Sequence, residues 1–237
     1  MSSSAGHSRL VTDPATRARR TQGPAKRLAR RRPSLIQILI LFLILLALQA
    51  MPAHAAGGVI VVLGDSLSSA YGFDVASGWV RLLQDRLDDD RAGYRVVNAS
   101  ISGDTTSGGI TRLPAELKKH RPDVVVVELG GNDGLRGLPL EVTRENLERI
   151  VAESQIAGAR VLLIGMRLPP NYGPAYTEAF HAIYQDLADK YNVARVPFLL
   201  DGIGGVDELM QSDGIHPRAE AQPKMLNNVW PHLKPLL

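Results

Sequence analysis

After residue 55, three segments of the chain are apolar at every consecutive position, and they constrain the fold more than any other feature. They cover residues 59–63, 124–127 and 161–164 and consist mostly of Val, Ile and Leu. A strand with one face in water alternates apolar and polar residues, whereas a strand covered on both faces is apolar throughout. The three segments therefore predict neighbouring strands of a parallel sheet that is covered by helices on both faces.

Helix-like segments alternate with these strands along the chain. Weaker strands are expected at 94–98 and 193–198, and helices at 79–87, 110–119, 140–157, 175–191 and from about 219 to the end. Within 140–157, Leu147, Ile150 and Val151 follow the three- and four-residue spacing of a helix face, and Gly158 stands where a C-terminal cap belongs. The alternation predicts one doubly wound α/β domain with right-handed crossovers.

The charge of the chain is concentrated near its N-terminus. Of 27 Lys and Arg and 24 Asp and Glu, nine basic residues and one acidic residue precede position 33, which leaves 18 basic and 23 acidic residues for the rest. The basic character is thus confined to the first segment and gives no support for a nucleic-acid-binding surface. Because the sequence has no Cys, disulfides, thiolate metal sites and a Cys nucleophile are excluded.

The basic segment is followed by an apolar run at 35–51, interrupted only by Gln37 and Gln49, and then by Ala53-His54-Ala55. This order is typical of a secretory signal peptide, here residues 1–55 with cleavage after Ala55, which leaves one domain at 56–237. The alternative is an uncleaved N-terminal anchor, since the run is nearly long enough to span a bilayer. In both cases we expect the domain to be exported, to the periplasm or the medium, because flanking Arg residues stay on the cytoplasmic side.

Small polar residues follow three of the predicted strands, where doubly wound sheets bind their ligands. Ser66 comes directly after the first strand, and Asp213 and His216 stand three residues apart near the C-terminus. A serine hydroxyl is a weak nucleophile until a His removes its proton, and that His needs an acid to fix its tautomer. We therefore interpret Ser66 as a nucleophile, His216 as its base and Asp213 as the orienting acid.

Acyl transfer also requires hydrogen-bond donors for the oxyanion of its tetrahedral intermediate. The backbone amides of Ser66 and Gly103 and the side-chain amide of Asn132 are candidates, since all three follow predicted strands. Each short motif alone is read more readily as an ordinary turn. Their joint placement after three strands of one sheet, with the Asp-His pair before the last helix, favours a catalytic site.

These blocks resemble the SGNH hydrolases, the GDSL-type esterases and lipases, in which Ser, Gly, Asn and His come from four sequence blocks. Ser66 in Gly-Asp-Ser-Leu-Ser matches the first block, Gly103 the second, Asn132 in Gly-Gly-Asn-Asp the third, and Asp213-Gly-Ile-His216 the last. The resemblance extends over 58–237 and is strongest to periplasmic members that cleave thioesters, aryl esters and lysophospholipids. It implies a flavodoxin-like three-layer α/β/α sandwich with a five-stranded parallel sheet, and hydrolysis without a metal or an organic cofactor.

The resemblance further implies an acyl groove beside the serine, bordered by the loop after Asn132. The candidate lining residues are Gly134, Leu135, Leu138, Leu168, Pro169 and Tyr172. Packing beneath a loop is an equally good interpretation of those after the fourth strand. We expect the glycines at 134 and 137 to let the loop move over an acyl chain.

The expected partners are small acyl esters, thioesters or lysophospholipids, with no nucleic acid. Contact with a membrane is expected only through an uncleaved leader or a lipid substrate, and the protein is expected to be a monomer. Two alternatives remain open: a carbohydrate O-acetyl esterase with the same machinery, since a fold does not determine a substrate, and a non-catalytic binding protein of this fold. An α/β-hydrolase is disfavoured because the sequence has no Gly-x-Ser-x-Gly motif.

Overall fold

The computed structural model describes residues 57–90 and 92–237, so the predicted leader and its cleavage site lie outside the described residues. Within them, five strands alternate with six helices of four residues or more. The strands are β1 (Val59–Gly64), β2 (Arg95–Asn98), β3 (Val124–Glu128), β4 (Arg160–Ile164) and β5 (Ala194–Val196). The helices are α1 (Trp79–Asp89), α2 (Thr106–His120), α3 (Gly131–Leu135), α4 (Leu140–Ile156), α5 (Pro174–Tyr191) and α6 (Gln222–Leu233).

All five strands are parallel, in the order β2-β1-β3-β4-β5. Helix α1 packs against α6, while α2 contacts α4 and α4 contacts α5, so the helices form two layers around the sheet. The prediction of a three-layer α/β fold with a five-stranded parallel sheet is confirmed. The chain runs from β1 outward to β2 and then returns to β3, which makes the space between β1 and β3 the switch point where such folds bind ligands.

The three continuous apolar segments form the central strands β1, β3 and β4. All five residues of β3 are buried, as are five of the six in β1 and four of the five in β4. The edge strands β2 and β5 are mostly only partly buried, which explains their weaker sequence pattern. None of the helices in the described part of the chain is long and apolar enough to cross a membrane.

Two helices differ from the sequence-based expectation. Helix α2 begins at Thr106 rather than at 110, because the Thr105 side chain caps it by accepting from the Gly108 amide. The short helix α3 was expected to be a loop, since its sequence Gly-Asn-Asp-Gly-Leu has low helix propensity. Contacts from other parts of the chain must therefore hold α3 in place.

One such contact fixes the backbone at the start of α3. The hydroxyl of Tyr184, buried in α5, donates to the carbonyl of Leu129 at 2.9 Å. Gly130 follows with a φ of +108°, and a Cβ there would lie only 2.3 Å from the Tyr184 hydroxyl. Only glycine satisfies both the left-handed backbone and the close approach. The bond thereby sets where the residues after β3 enter the site.

We expect Tyr184→Phe to lower the free energy of unfolding by about 1–2 kcal/mol, because the buried Leu129 carbonyl loses its donor. The matched control is Tyr191→Phe, whose hydroxyl donates at 2.7 Å to Glu148, a carboxylate that keeps Lys190 as a partner. The control should change stability by less. Urea unfolding of the three proteins measures both effects, and equal losses would contradict the role given to the Tyr184 hydroxyl.

Candidate active site

Ser66 lies in a tight turn directly after β1, at the switch point of the sheet. The carbonyl of Asp65 accepts from the amides of Ser68 at 3.3 Å and Ser69 at 3.0 Å, and its side chain accepts from the Leu67 amide at 3.0 Å. Asp65 thus holds both ends of the turn that presents the serine.

A hairpin-like loop near the C-terminus carries the acid and the base. Met210 and Pro217 form an antiparallel bridge at its base, and the Gln211 amide donates to the His216 carbonyl at 2.7 Å. The Gln211 side chain also donates to the Tyr71 carbonyl at 2.9 Å, which ties this loop to the segment after Ser66. Long-range contacts therefore bring His216 to a serine 150 residues earlier in the chain.

The three candidate catalytic side chains form one hydrogen-bonded chain. His216 Nε2 lies 2.9 Å from Ser66 Oγ, and His216 Nδ1 lies 2.7 Å from Asp213 Oδ2. The other oxygen of Asp213 accepts from the amides of Ile215 and His216 at 2.9 and 3.0 Å. This is the geometry that serine hydrolysis requires, with a base within reach of the nucleophile and an acid that fixes the base.

The charge of Asp213 is favoured by its surroundings. Partial burial acts to raise its pKa, but the hydrogen bonds from the His216 amide and ring and from the Ile215 amide outweigh this and lower the pKa to about 2. Asp213 therefore remains a carboxylate at neutral pH. A carboxylate here can accept the Nδ1 proton of His216 and stabilise the imidazolium that forms when Nε2 takes the serine proton.

The candidate oxyanion donors lie in three segments: the nucleophile turn, the loop that contains Gly103, and helix α3. Gly103 has a φ of +77°, which glycine adopts most readily, and its carbonyl accepts from Arg136 at 2.8 Å. The hydroxyls of Ser69 and Ser102 lie 2.7 Å apart, which joins the loop of Gly103 to the nucleophile turn.

Two backbone donors and one side-chain donor remain available for an oxyanion. In the described part of the chain, the amides of Ser66 and Gly103 donate to no backbone carbonyl. The side chain of Asn132 donates one of its two N–H groups to Asp65 Oδ2 at 3.0 Å, which leaves the other N–H for a ligand. The loops thus offer up to three donors around Ser66.

An apolar groove of about 490 Å³ runs beside the nucleophile turn. Leu67, Gly131 and Ile215 border its catalytic end. One wall includes Leu135 at the end of α3 and residues that follow β4, and the other comes from residues between β5 and the catalytic loop. Its remaining lining residues include Leu135, Met166, Leu168, Pro169, Phe198, Leu200, Gly204 and Met210. A groove of this size and lining suits an acyl chain better than a polar ligand.

The sequence profile described as the GDSL-like Lipase/Acylhydrolase family matches residues 62–222, which include the nucleophile turn, the oxyanion loops and the catalytic loop. The chain belongs to this family. The sequence-based prediction of an SGNH-type ester hydrolase is therefore confirmed at the level of the family.

Individual relatives of this GDSL-family protein agree with that assignment. It is 54% identical over 192 residues to "Esterase TesA" of Pseudomonas aeruginosa, a match that covers 81% of this chain and 96% of that protein. It is 45% identical to "Thioesterase 1/protease 1/lysophospholipase L1" of Escherichia coli K12, covering 83% and 91% of the two chains. A solved structure described as "Crystal Structure of TesA" superposes with a TM-score of 0.75 at 55% identity, covering 76% and 99%.

Among the six groove residues expected from the sequence of this GDSL-family protein, Leu135, Leu168 and Pro169 line the groove. The other three, Gly134, Leu138 and Tyr172, lie outside its lining. A Cβ at Gly134 would lie 2.6 Å from a methyl carbon of Leu168, so close packing explains this glycine. The hydroxyl of Tyr172 donates to the Leu135 carbonyl at 2.9 Å and so supports the groove wall from behind.

The loop after α3 is held by further hydrogen bonds. The hydroxyl of Tyr176 donates to the carbonyl of Leu138 at 3.2 Å, and the Leu138 amide donates to the Asp133 carbonyl at 3.0 Å. The glycines at 134 and 137 suggested that this loop moves over an acyl chain. Such a movement would have to break these hydrogen bonds. Gating by the loop stays a prediction.

Sequence reasoning missed several residues of the GDSL site. The wall formed by Phe198, Leu200 and Met210 lies in an irregular segment without periodicity, although its apolar residues follow the last strand. The ring of Tyr71 lies 4.5 Å from the His216 ring, centroid to centroid, with the two ring planes tilted by 39°. No sequence signal separates Tyr71 from an ordinary loop residue. Among the described residues, no group of three or more His, Asp and Glu side chains could hold a metal ion.

We expect Asp213→Asn to lower kcat/KM by about a thousandfold or more, because a carboxamide that still accepts from the two loop amides turns its NH2 toward His216 Nδ1. The ring would then present a proton, rather than a lone pair, to Ser66. Asp207→Asn, an exposed change in the same segment, is the control. Esterase kinetics and thermal unfolding separate the effects, and a parallel loss in the control would contradict this account.

Proposed function

We propose that this protein hydrolyses acyl esters and thioesters through an acyl-enzyme on Ser66. The observation that supports the proposal most directly is the chain of hydrogen bonds from Asp213 through His216 to Ser66 Oγ at the mouth of an apolar groove. Membership of an acylhydrolase family and similarity to an esterase and a thioesterase support the reaction class.

The reaction proceeds in two halves that use the same base. His216 Nε2 takes the proton of Ser66 Oγ as the oxygen attacks the carbonyl carbon, and the amides of Ser66, Gly103 and Asn132 donate to the resulting oxyanion. The oxyanion collapses, and the departing alcohol or thiol takes the proton from His216. A water then attacks the acyl-enzyme and gives its proton to His216, which returns it to Ser66 as the acid leaves.

The apolar groove favours chains longer than acetyl as the acyl part. Burial of each methylene in such a groove contributes about 0.8 kcal/mol, so binding strengthens as the acyl chain lengthens. Lysophospholipids are included among the proposed substrates because their single acyl chain and ester bond fit the same geometry. The carbohydrate O-acetyl esterase remains the second candidate for the same machinery, but an acetyl group would leave most of the groove unfilled.

We also propose that the protein acts outside the cytoplasm, in the periplasm or the medium, and as a monomer. The support for export is the basic segment, apolar run and small-residue site in the first 55 residues. The support for a monomer is that the sequence after residue 55 has no sustained apolar stripe that would indicate an obligate partner. Membrane contact would come only through an uncleaved leader or through a lipid substrate.

We expect Ser66→Ala to reduce hydrolysis of p-nitrophenyl butyrate by about ten thousandfold or more, since the nucleophile is lost while the rest of the hydrogen-bonded chain remains. Incubation of the unmodified enzyme with a fluorophosphonate should add one phosphonyl group at Ser66, and mass spectrometry of the digested protein locates it. Ser69→Ala, in the same turn, is the control and should still be labelled. Full turnover by Ser66→Ala would refute the acyl-enzyme.

We expect kcat/KM for p-nitrophenyl esters to rise roughly fourfold with each added methylene until the groove is filled. Gly204→Leu should move the optimum to shorter chains. A Cβ at 204 makes only ordinary contacts, at 3.7 Å from Leu200 and Phe198, so the added side chain can occupy the groove. Gly204→Ala is the control and should leave the optimum near its original length. An optimum at acetyl in the unmodified enzyme would instead favour the O-acetyl esterase.

A further inference from the structure

Two carboxyl groups lie buried beneath the nucleophile turn, and the mechanism above uses neither as an acid or a base. Glu128, the last residue of β3, is fully buried, and Asp65 is 2% exposed. Glu128 Oε2 accepts from the Asp65 amide at 3.2 Å and from the Ser68 hydroxyl at 2.6 Å. The second oxygen, Glu128 Oε1, is buried and accepts from no donor in the described part of the chain, so a proton on the Glu128 carboxyl group can be shared with the neighbouring carboxyl group of Asp65.

The fold makes room for this pair. A Cβ on Gly64 would lie 2.7 Å from Glu128 Oε2 and 2.8 Å from the Ser100 hydroxyl, so a side chain at 64 would displace Glu128. The glycine before Asp65 and Ser66 is thus required by a carboxyl group on the neighbouring strand.

The surroundings decide which of the two groups keeps the proton. Burial raises the pKa of Glu128 well above its usual value, and the nearby charge of Asp65 raises it further. Burial also raises the pKa of Asp65, but only to about 6, because the Leu67 amide and the Asn132 side chain donate to it. Two buried carboxyl groups in contact cannot both ionise at neutral pH. Asp65 is therefore the carboxylate and Glu128 the neutral acid.

We propose that Glu128 is a positioning residue that acts as a neutral acid: its proton holds the Asp65 carboxylate in place, and Asp65 in turn orients the amide of Asn132 toward the oxyanion. The inference rests on the proposed function, since it gives Asn132 the role of an oxyanion donor. Asp65 Oδ2 accepts one N–H of Asn132 at 3.0 Å, which fixes the plane of the amide and the direction of its second N–H. A freely rotating amide would donate to the oxyanion only part of the time.

The first experiment compares Glu128→Gln with Glu128→Leu in steady-state kinetics on p-nitrophenyl butyrate. Leu removes the donor, so we expect kcat to fall about tenfold or more with KM nearly unchanged. This loss is smaller than the loss in kcat expected when an oxyanion donor is removed completely. Gln has the shape of the protonated acid, with an N–H in place of the O–H, and should restore most of that kcat. If Gln were as impaired as Leu, a neutral donor would not be what the site needs, and the proposal would fail.

The second experiment tests whether the effect passes through Asn132, and it does not depend on the Leu variant folding. Asp65→Asn leaves a carboxamide that can accept from Leu67 or from Asn132 but not from both. We expect it to lower kcat about tenfold alone and less than twofold in the Asn132→Ala background. Equal factors in the two backgrounds would overturn the proposal.

The outcomes separate this proposal from the proposed function. If Ser66→Ala stayed active, or Asn132→Ala lost less than tenfold in kcat, the proposed mechanism itself would fail. If both behaved as expected and the two Asp65→Asn factors were equal, only the role of Glu128 and Asp65 would be wrong. Glu145→Gln, a change at an exposed residue of α4, is the matched control for a Glu-to-Gln substitution away from the site.

Discussion

The pairing of β1 with β3 sets the geometry on which the rest of the site depends. Both strands are covered on both faces, and their register places Gly64 opposite Glu128 at the ends of the two strands. The chain therefore leaves the sheet at the same level twice, once toward Ser66 and once toward Asn132. The pairing of the strands thus brings Asp65 and Asn132 side by side, and their side chains can form the hydrogen bond between them.

The site contains acids in two opposite environments, and each environment suits a different task. Asp213 lies on a solvent-exposed loop, where donors to its oxygens keep it ionised next to His216. Asp65 and Glu128 lie below the turn, where burial disfavours charge and one proton is retained between them. Environment thus separates a carboxylate that supports proton transfer from a pair that fixes geometry. If Asp213 were buried as Asp65 and Glu128 are, burial would disfavour its charge, and His216 would lack the carboxylate that stabilises its protonated ring.

The sequence predicted those parts of the structure that rest on local pattern. The central strands were predictable because both of their faces are buried, and Ser66, Asp213 and His216 because their residue types and spacing have one obvious chemistry. Helix α3 was not predictable, since its glycine-rich sequence is held by Tyr184 from a distant helix. The second wall of the groove lacks periodicity. Glu128 was recognisable in the sequence as an acidic residue at the end of an otherwise apolar strand. Such a residue is rarely buried unless it has a partner.

The bridge between Met210 and Pro217 closes the catalytic loop at its base. The acid and the base lie inside this closed loop, whereas the residues that line the groove lie mostly outside it. Mutations in those walls can therefore accumulate in evolution without disturbing the partners of His216. Chain-length specificity can therefore change among related enzymes while the residues that transfer the proton stay the same.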